Sequence, residues 1–227
     1  MKHRYWKLLI MALLVFSPLL RVAADGYSAG DKLYVAPTSG VNLRANPSGK
    51  APVLQQLHYN TMVTVLPDSV PENPYQVSVT NFDNGKLELK GHWVKVQAGN
   101  RTGYVFDGML SPFKGQPMAP THLSQEQDDA YYASLFGKPS TKTLQKTTVL
   151  QGKKFPYETV IKTYPKGMVE ESTFFDGCYE LNFTFKTTFN QAYWLIEQML
   201  VDADAAQDIK IKKVQEGKVL LSFDSCT

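Results

Sequence analysis

Ser28 stands in Gly26-Tyr27-Ser28-Ala29-Gly30, the G-x-S-x-G spacing that lifts a nucleophilic hydroxyl above a sheet on a sharp strand-to-helix turn. That chemistry needs a strand before the serine and a helix after it. Here an apolar leader precedes the motif and the strand-like Lys32–Val35 follows, so the match is coincidental. Ser111 and Lys114 have the S-x-x-K spacing, but Pro112 lies between them and no helix is predicted to bring the amine back to the hydroxyl. Cys178, in "DGCYE", would need a neighbouring imidazole to become a thiolate nucleophile. Past the leader the histidines are His58, His92 and His122, and all of them precede it. Their spacings are unrelated, with no H-x-x-x-H or C-x-x-C partner to close a metal site. Asp202, Asp204 and Asp208 lack the glycine and terminal glutamate of a calcium loop. No catalytic constellation emerges, and neither metal nor cofactor is expected; the chain reads as something other than an enzyme.

The first residues are read as a secretory signal. Lys2, Arg4 and Lys7 open it, and Leu8–Leu20 is apolar but shorter than the roughly 20 residues that span a membrane. Val22 and Ala24 then place small residues before Asp25, which predicts cleavage after residue 24, export to the periplasm or beyond, and no stable membrane insertion. Four of the 24 lysines and arginines lie in that leader, which holds none of the 21 acidic residues, leaving 20 against 21. A neutral mature chain argues against a nucleic-acid partner. The two cysteines, Cys178 and Cys226, lie in the exported portion, where an even pair reads first as a disulfide.

Before Ser111 the periodic segments read as strands: Lys32–Val35, Val41–Leu43, Thr61–Leu66 and a hairpin over Tyr75–Val96. Asp83-Asn84-Gly85 is its turn, with Val77 and Val79 alternating on one side and Leu87 and Leu89 on the other. Trp93–Val96 continues the second strand, and "AGNRTG" turns the chain into Tyr104–Phe106. Three prolines and a glycine in Ser111–His122 mark a linker, placed at residues 114–120. After it, Ser124 and Gln127 form a capping box for a helix to Phe136, which Gly137 stops. Strands follow at Lys146–Leu150, Glu158–Tyr164 and Cys178–Lys186. In the last of these Tyr179, Leu181, Phe183 and Phe185 alternate with polar residues, so one face is buried. Thr188 and Gln191 cap a second helix whose apolar side carries Phe189, Tyr193, Ile196 and Leu200, broadened by Trp194. Ile209–Val214 and Lys218–Phe223 form a hairpin. Residues 121–227 thus predict an α+β domain, an antiparallel sheet with a packed helix. Cys178 and Cys226 share the non-core parity of their strands, so antiparallel neighbours would bring both sulfurs to one face.

"SGVNLRANPS" (Ser39–Ser48) followed by "HWVKVQAGNRTGYVFDGML" (His92–Leu110) resembles the bacterial SH3 (SH3b) domain. Val41, Asn42, Leu43, Arg44, Pro47 and Ser48 match its first motif. Trp93, Lys95, Val96, Gly103, Tyr104, Val105 and Leu110 match the rest. The resemblance covers residues 31–113 and implies a mainly β fold, a small closed SH3-like barrel of short strands, with residues 67–91 as an inserted hairpin. It also implies a binding module for peptidoglycan or another envelope component, with Trp93, Tyr104 and Arg44 as candidate contacts. The alternative is a protein-interaction or inhibitor role carried by the C-terminal domain.

Overall fold

A computed structural model describes residues 27–67, 74–82, 84–117, 125–200 and 206–226. The expected signal, the capping Ser124, His122, Asp202, Asp204 and part of the linker lie outside these residues. The fold is mainly β. The N-terminal strands are β1 (Lys32–Val35), β2 (Val41–Arg44), β3 (Val53–Leu57), β4 (Met62–Val65), β5 (Tyr75–Thr80), β6 (Lys86–Gly91), β7 (Trp93–Ala98), β8 (Arg101–Phe106) and β9 (Leu110–Ser111). Helix α1 (Gln125–Phe136) leads to β10 (Ser140–Leu150), β11 (Lys153–Tyr164), β12 (Met168–Phe175) and β13 (Cys178–Phe185). Helix α2 (Phe189–Leu200) then precedes β14 (Ala206–Gln215) and β15 (Lys218–Cys226).

Seven strands form an SH3-like sheet in the order β3-β2-β8-β7-β4-β1-β9, curled around Leu33, Val35, Leu43, Val94, Val96 and Val105. The expected closed barrel is open instead: among the described residues no ladder joins β3 to β9. β9 is two residues long because Pro112, with no N–H, follows it. At the other edge β3 exposes four of its five residues, and the Arg101 guanidinium donates to the Leu54 carbonyl there.

β5 and β6 form a separate two-stranded sheet in the register Val77↔Leu89 and Val79↔Leu87. Asn84, with φ 63°, sits in their turn. The expectation that this strand runs on into Trp93 fails at His92. There the Asp107 carboxylate accepts the His92 N–H at 2.7 Å, and the Asp107 N–H donates to the His92 carbonyl at 2.8 Å. The chain turns a corner around this fully buried acid. Gly91 makes the corner possible, since a Cβ there would lie 2.0 Å from Asp107 Oδ1.

The second sheet runs β10-β11-β12-β13-β15-β14, antiparallel throughout. Helices α1 and α2 cover one end of one face, over Tyr164, Met168, Phe183, Phe185, Val219 and Leu221. α1 ends as read: Gly137 takes φ +84° and its N–H reaches Ala133 O at 2.9 Å. β12 was not read from the sequence, because its inward position 170 carries a glutamate. Glu170 is buried opposite Lys162, whose ammonium lies 3.1 Å from its carboxylate.

α2 binds far more than its own sheet. Thr188 Oγ1 caps it by accepting the Gln191 N–H at 3.3 Å. The reciprocal half of the capping box is absent, because Gln191 turns away: its Oε1 accepts from Thr187 and its Nε2 donates to Tyr27 Oη at 2.8 Å. Asn190 donates to Lys90 O at 2.7 Å, Tyr193 to Thr80 O at 2.8 Å and Trp194 to Gly108 O at 2.7 Å. Tyr193 and Trp194 share a core with Ala36, Leu89 and Phe106, so the helix locks both the hairpin and the barrel.

The cysteines are joined. Cys178 and Cys226 face each other in the β13–β15 ladder, with Cα atoms 4.2 Å apart, and close a loop of sequence separation 48. Replacing both with serine is expected to cost about 4 kcal/mol of stability, measured by urea unfolding. Trp194→Ala is expected to cost about 3–5 kcal/mol. In that variant near-ultraviolet circular dichroism and hydrogen exchange should report loosening of the barrel and the second sheet together.

Candidate functional site

In β7 and β8 the valines 94, 96 and 105 point into the barrel and are fully buried. The alternate positions therefore form its outer face. Trp93 pairs with Phe106, and Lys95 with Tyr104, which in turn pairs with Arg44 of β2. Gly103 lets β2 approach, since a Cβ there would lie 2.7 Å from Arg44 O. The three residues expected to bind thus converge on one face, with Trp93 and Tyr104 as diagonal neighbours.

That face is divided. Phe106 is buried beneath the hairpin and α2. Trp93 is half-buried at the boundary, and Tyr104 lies beyond it, also half-buried. Tyr75, the first residue of β5, places its ring 5.4 Å from Trp93 and 5.6 Å from Phe106. Tyr75 is 36% exposed, and its hydroxyl reaches over to Gly49, where a Cβ would be 2.6 Å away. The inserted hairpin therefore covers one end of the face and supplies a wall to the rest. The turn after β2, which includes Gly49 and so meets Tyr75, is held by Arg44 Nη1 donating to Ala51 O at 2.7 Å and by the Ala45 N–H donating to Pro52 O at 3.0 Å. Tyr75 was not picked out from the sequence. The only signal was an aromatic at the start of the hairpin within the insertion.

The result is a shallow aromatic shelf of Trp93, Tyr104 and Tyr75 beside two cations, Arg44 and Lys95. Trp93 Nε1 is buried and has no acceptor among the described residues. Arg44 works first as the staple of its turn.

The other candidates have structural surroundings. Ser28 lies in a turn entering β1, where its N–H donates to Asp31 Oδ2 at 2.7 Å, and no helix follows. Ser111 Oγ accepts the Phe113 N–H at 3.1 Å. The Cys178 sulfur is committed to the disulfide. His58 is exposed; His92 is half-buried with Nδ1 unpartnered among the described residues. No three metal-binding side chains come together among the described residues. A cleft of about 380 Å³ opens between the hairpin, the start of α2 and the β14–β15 turn. Its charges largely offset each other, with Glu88 and Glu216 beside Lys90, Lys213 and Lys218, and Lys213 paired to Glu216 at 2.7 Å.

Two further carboxylates, Glu170 buried and Glu197 half-buried, are shifted by their surroundings. Burial raises Glu170 above the usual carboxylate range, against the opposing pull of Lys162, which is shared with Asp129 at 2.8 Å. Burial acts against the Lys162 ammonium too, but the hydrogen bond it donates to Asp129 and the charge of Glu170 outweigh it and hold that amine up. Burial also raises Glu197 of α2, and here the opposing contact is a hydroxyl: Thr38 Oγ1 donates to Oε1 at 3.5 Å, while Oε2 has no partner among the described residues.

Residues 39–111 match the family model of the bacterial SH3 domain. No curated protein and no solved structure matches the chain. The match begins just before β2 and ends with β9, so it contains the shelf and the hairpin that walls it.

Because Glu170 and Glu197 hold their protons more tightly folded than unfolded, their contribution to stability is fully present below the unfolded value of 4.5 and is lost as pH rises through the higher folded values. Resistance to urea is expected to increase between pH 7 and about pH 5. Glu197→Gln, at the site without a cation, should raise stability at pH 7 and flatten that slope. A slope unchanged in the variant would remove Glu197 from the account.

Proposed function

We propose that the chain is an exported cell-envelope protein that attaches to peptidoglycan through the aromatic shelf of its SH3-like part, and that it works by binding without a reaction of its own. The observation that carries this reading is the bacterial SH3 match over residues 39–111 together with the open end of the shelf it contains. Flat aromatic rings beside Arg44 and Lys95 suit a ligand that offers both sugar or peptide faces and carboxylates, which peptidoglycan strands do. The disulfide supports an oxidising compartment, and the apolar leader supports export. Among the described residues no helix is long and apolar enough to cross a membrane.

Trp93 is a poor probe, because its ring packs against Tyr75 and the core around Phe106. Tyr104 is the better one. Co-sedimentation of the protein with purified sacculi is expected to retain the wild type. Tyr104→Ala should weaken retention about tenfold, which corresponds to a loss of about 1.4 kcal/mol, with its unfolding midpoint little changed. Equal retention of both proteins would place the contact elsewhere, and retention of neither would remove peptidoglycan as the ligand.

A further inference from the structure

β10 and β11 continue beyond their neighbours. The β11–β12 ladder begins at Thr159↔Thr173, whereas the β10–β11 ladder runs on to Leu150↔Lys153. Tyr157 still touches Phe175, with ring centroids 5.8 Å apart, and β12 ends there. The hairpin past Pro156 is therefore a free arm projecting about 10 Å beyond the β12–β13 turn, at the usual rise per strand residue. Its tip is narrow, with Gln151 at φ 49° and Gly152 at φ 77°.

The end of the sheet that carries this arm is the end the helices do not cover. Val149 is 60% exposed and Phe155 40%; beside the arm Phe174 is 51% and Tyr179 44% exposed. Strand parity puts Val149, Phe174 and Tyr179 on the face that farther along packs the helices, and Phe155 on the other. An interface to a folded partner uses one face. Apolar groups on both faces of one narrow end suit a medium that surrounds it.

The charges favour one such medium. From Lys146, at the base of the arm opposite Tyr157, to Pro156 the chain carries Lys146, Lys153 and Lys154 and no carboxylate. The nearest acids are Glu158, which accepts from Gln145, and Asp176 in the shorter turn. Lysines flanking aromatic and aliphatic side chains are the residue set of a membrane interface, where apolar groups enter the headgroup boundary and ammonium groups meet lipid phosphates.

We propose that the β10–β11 arm docks on an anionic lipid surface, with Val149 and Phe155 inserting and Lys146, Lys153 and Lys154 contacting the phosphates. This docking does not depend on the shelf or on its ligand.

The test is sedimentation of the purified protein with vesicles of equal phosphatidylglycerol and phosphatidylcholine, and with phosphatidylcholine alone. The expected result is retention on the anionic vesicles, at least tenfold weaker on phosphatidylcholine and weakened by 0.5 M salt. Val149→Ser with Phe155→Ser, and separately Lys153→Glu with Lys154→Glu, should each lower retention at least tenfold. A Phe155→Trp reporter should shift its emission to the blue on the same vesicles. These residues lie on an exposed arm, so circular dichroism and the Tyr104-dependent sacculus assay should not change. Absence of retention, equal retention on both lipids, or retention that survives both double variants would overturn the proposal. A crosslinked protein partner that depends on Val149 and Phe155, in a chain that ignores the vesicles, would overturn it too.

Discussion

The position of α2 is the constraint on which the rest depends. Its N-terminal two turns present Asn190, Gln191, Tyr193 and Trp194, all buried, and each carries a donor that must find an acceptor or cost the helix its place. The acceptors lie on Lys90, Tyr27, Thr80 and Gly108, more than eighty residues earlier in the chain. A helix could slide over a greasy surface with little penalty. It cannot slide here without breaking directional bonds to the hairpin, the start of the barrel and the turn after β8 at once. The hairpin, in turn, is more than an ornament on the barrel: Leu89 is fully buried between the two, and Tyr75 reaches the shelf only because β5 is held there.

This interlock explains what the sequence could and could not reveal. Alternation exposed the inward faces of β13 and β15, and the shared parity of Cys178 and Cys226 placed their sulfurs together, since a period of two carries sidedness along a strand without help from anything distant. Trp93, Tyr104 and Arg44 came from the resemblance to the bacterial SH3 domain and not from alternation, and the β7–β8 and β2–β8 ladders bring them to one face. The failures are places where a distant partner overrides local pattern. Glu170 breaks the alternation of β12 because Lys162 sits across from it. His92 breaks the hairpin strand because Asp107, fifteen residues on, binds it. Gln191 leaves the capping box for a tyrosine at position 27. Tyr75 belongs to the shelf through a packing contact that no spacing encodes.

The shelf is what remains of an aromatic surface after the fold has taken its share. Phe106 and one edge of Trp93 are used to seat the hairpin and α2, and the Trp93 Nε1 donor is buried in the process. The exposed remainder is shallow, and a shallow aromatic surface favours an extended ligand that lies along it over a compact one that needs enclosure. The neighbouring turn reinforces this geometry. Arg44 fixes the turn after β2 through Ala51 O, so the contact between that turn and Tyr75 is set before any ligand arrives.

At the far end of the second sheet the problem is reversed. There the helices no longer cover the strands, and Phe174 and Tyr179, both exposed, pack against each other across their turn, with ring centroids 4.8 Å apart. Strand ends in such a place have little side-chain packing to hold them. The disulfide sits at that weak point, joining the last residue of β15 to the first of β13 in direct register. Its cross-link replaces the hydrophobic cover that α2 supplies at the other end. Each end of the sheet is therefore held by a different force: burial and directed hydrogen bonds where the helices lie, a covalent bond where they do not. Because the covalent bond makes no demand on the surrounding surface, the sheet can leave its uncovered end apolar and still remain folded.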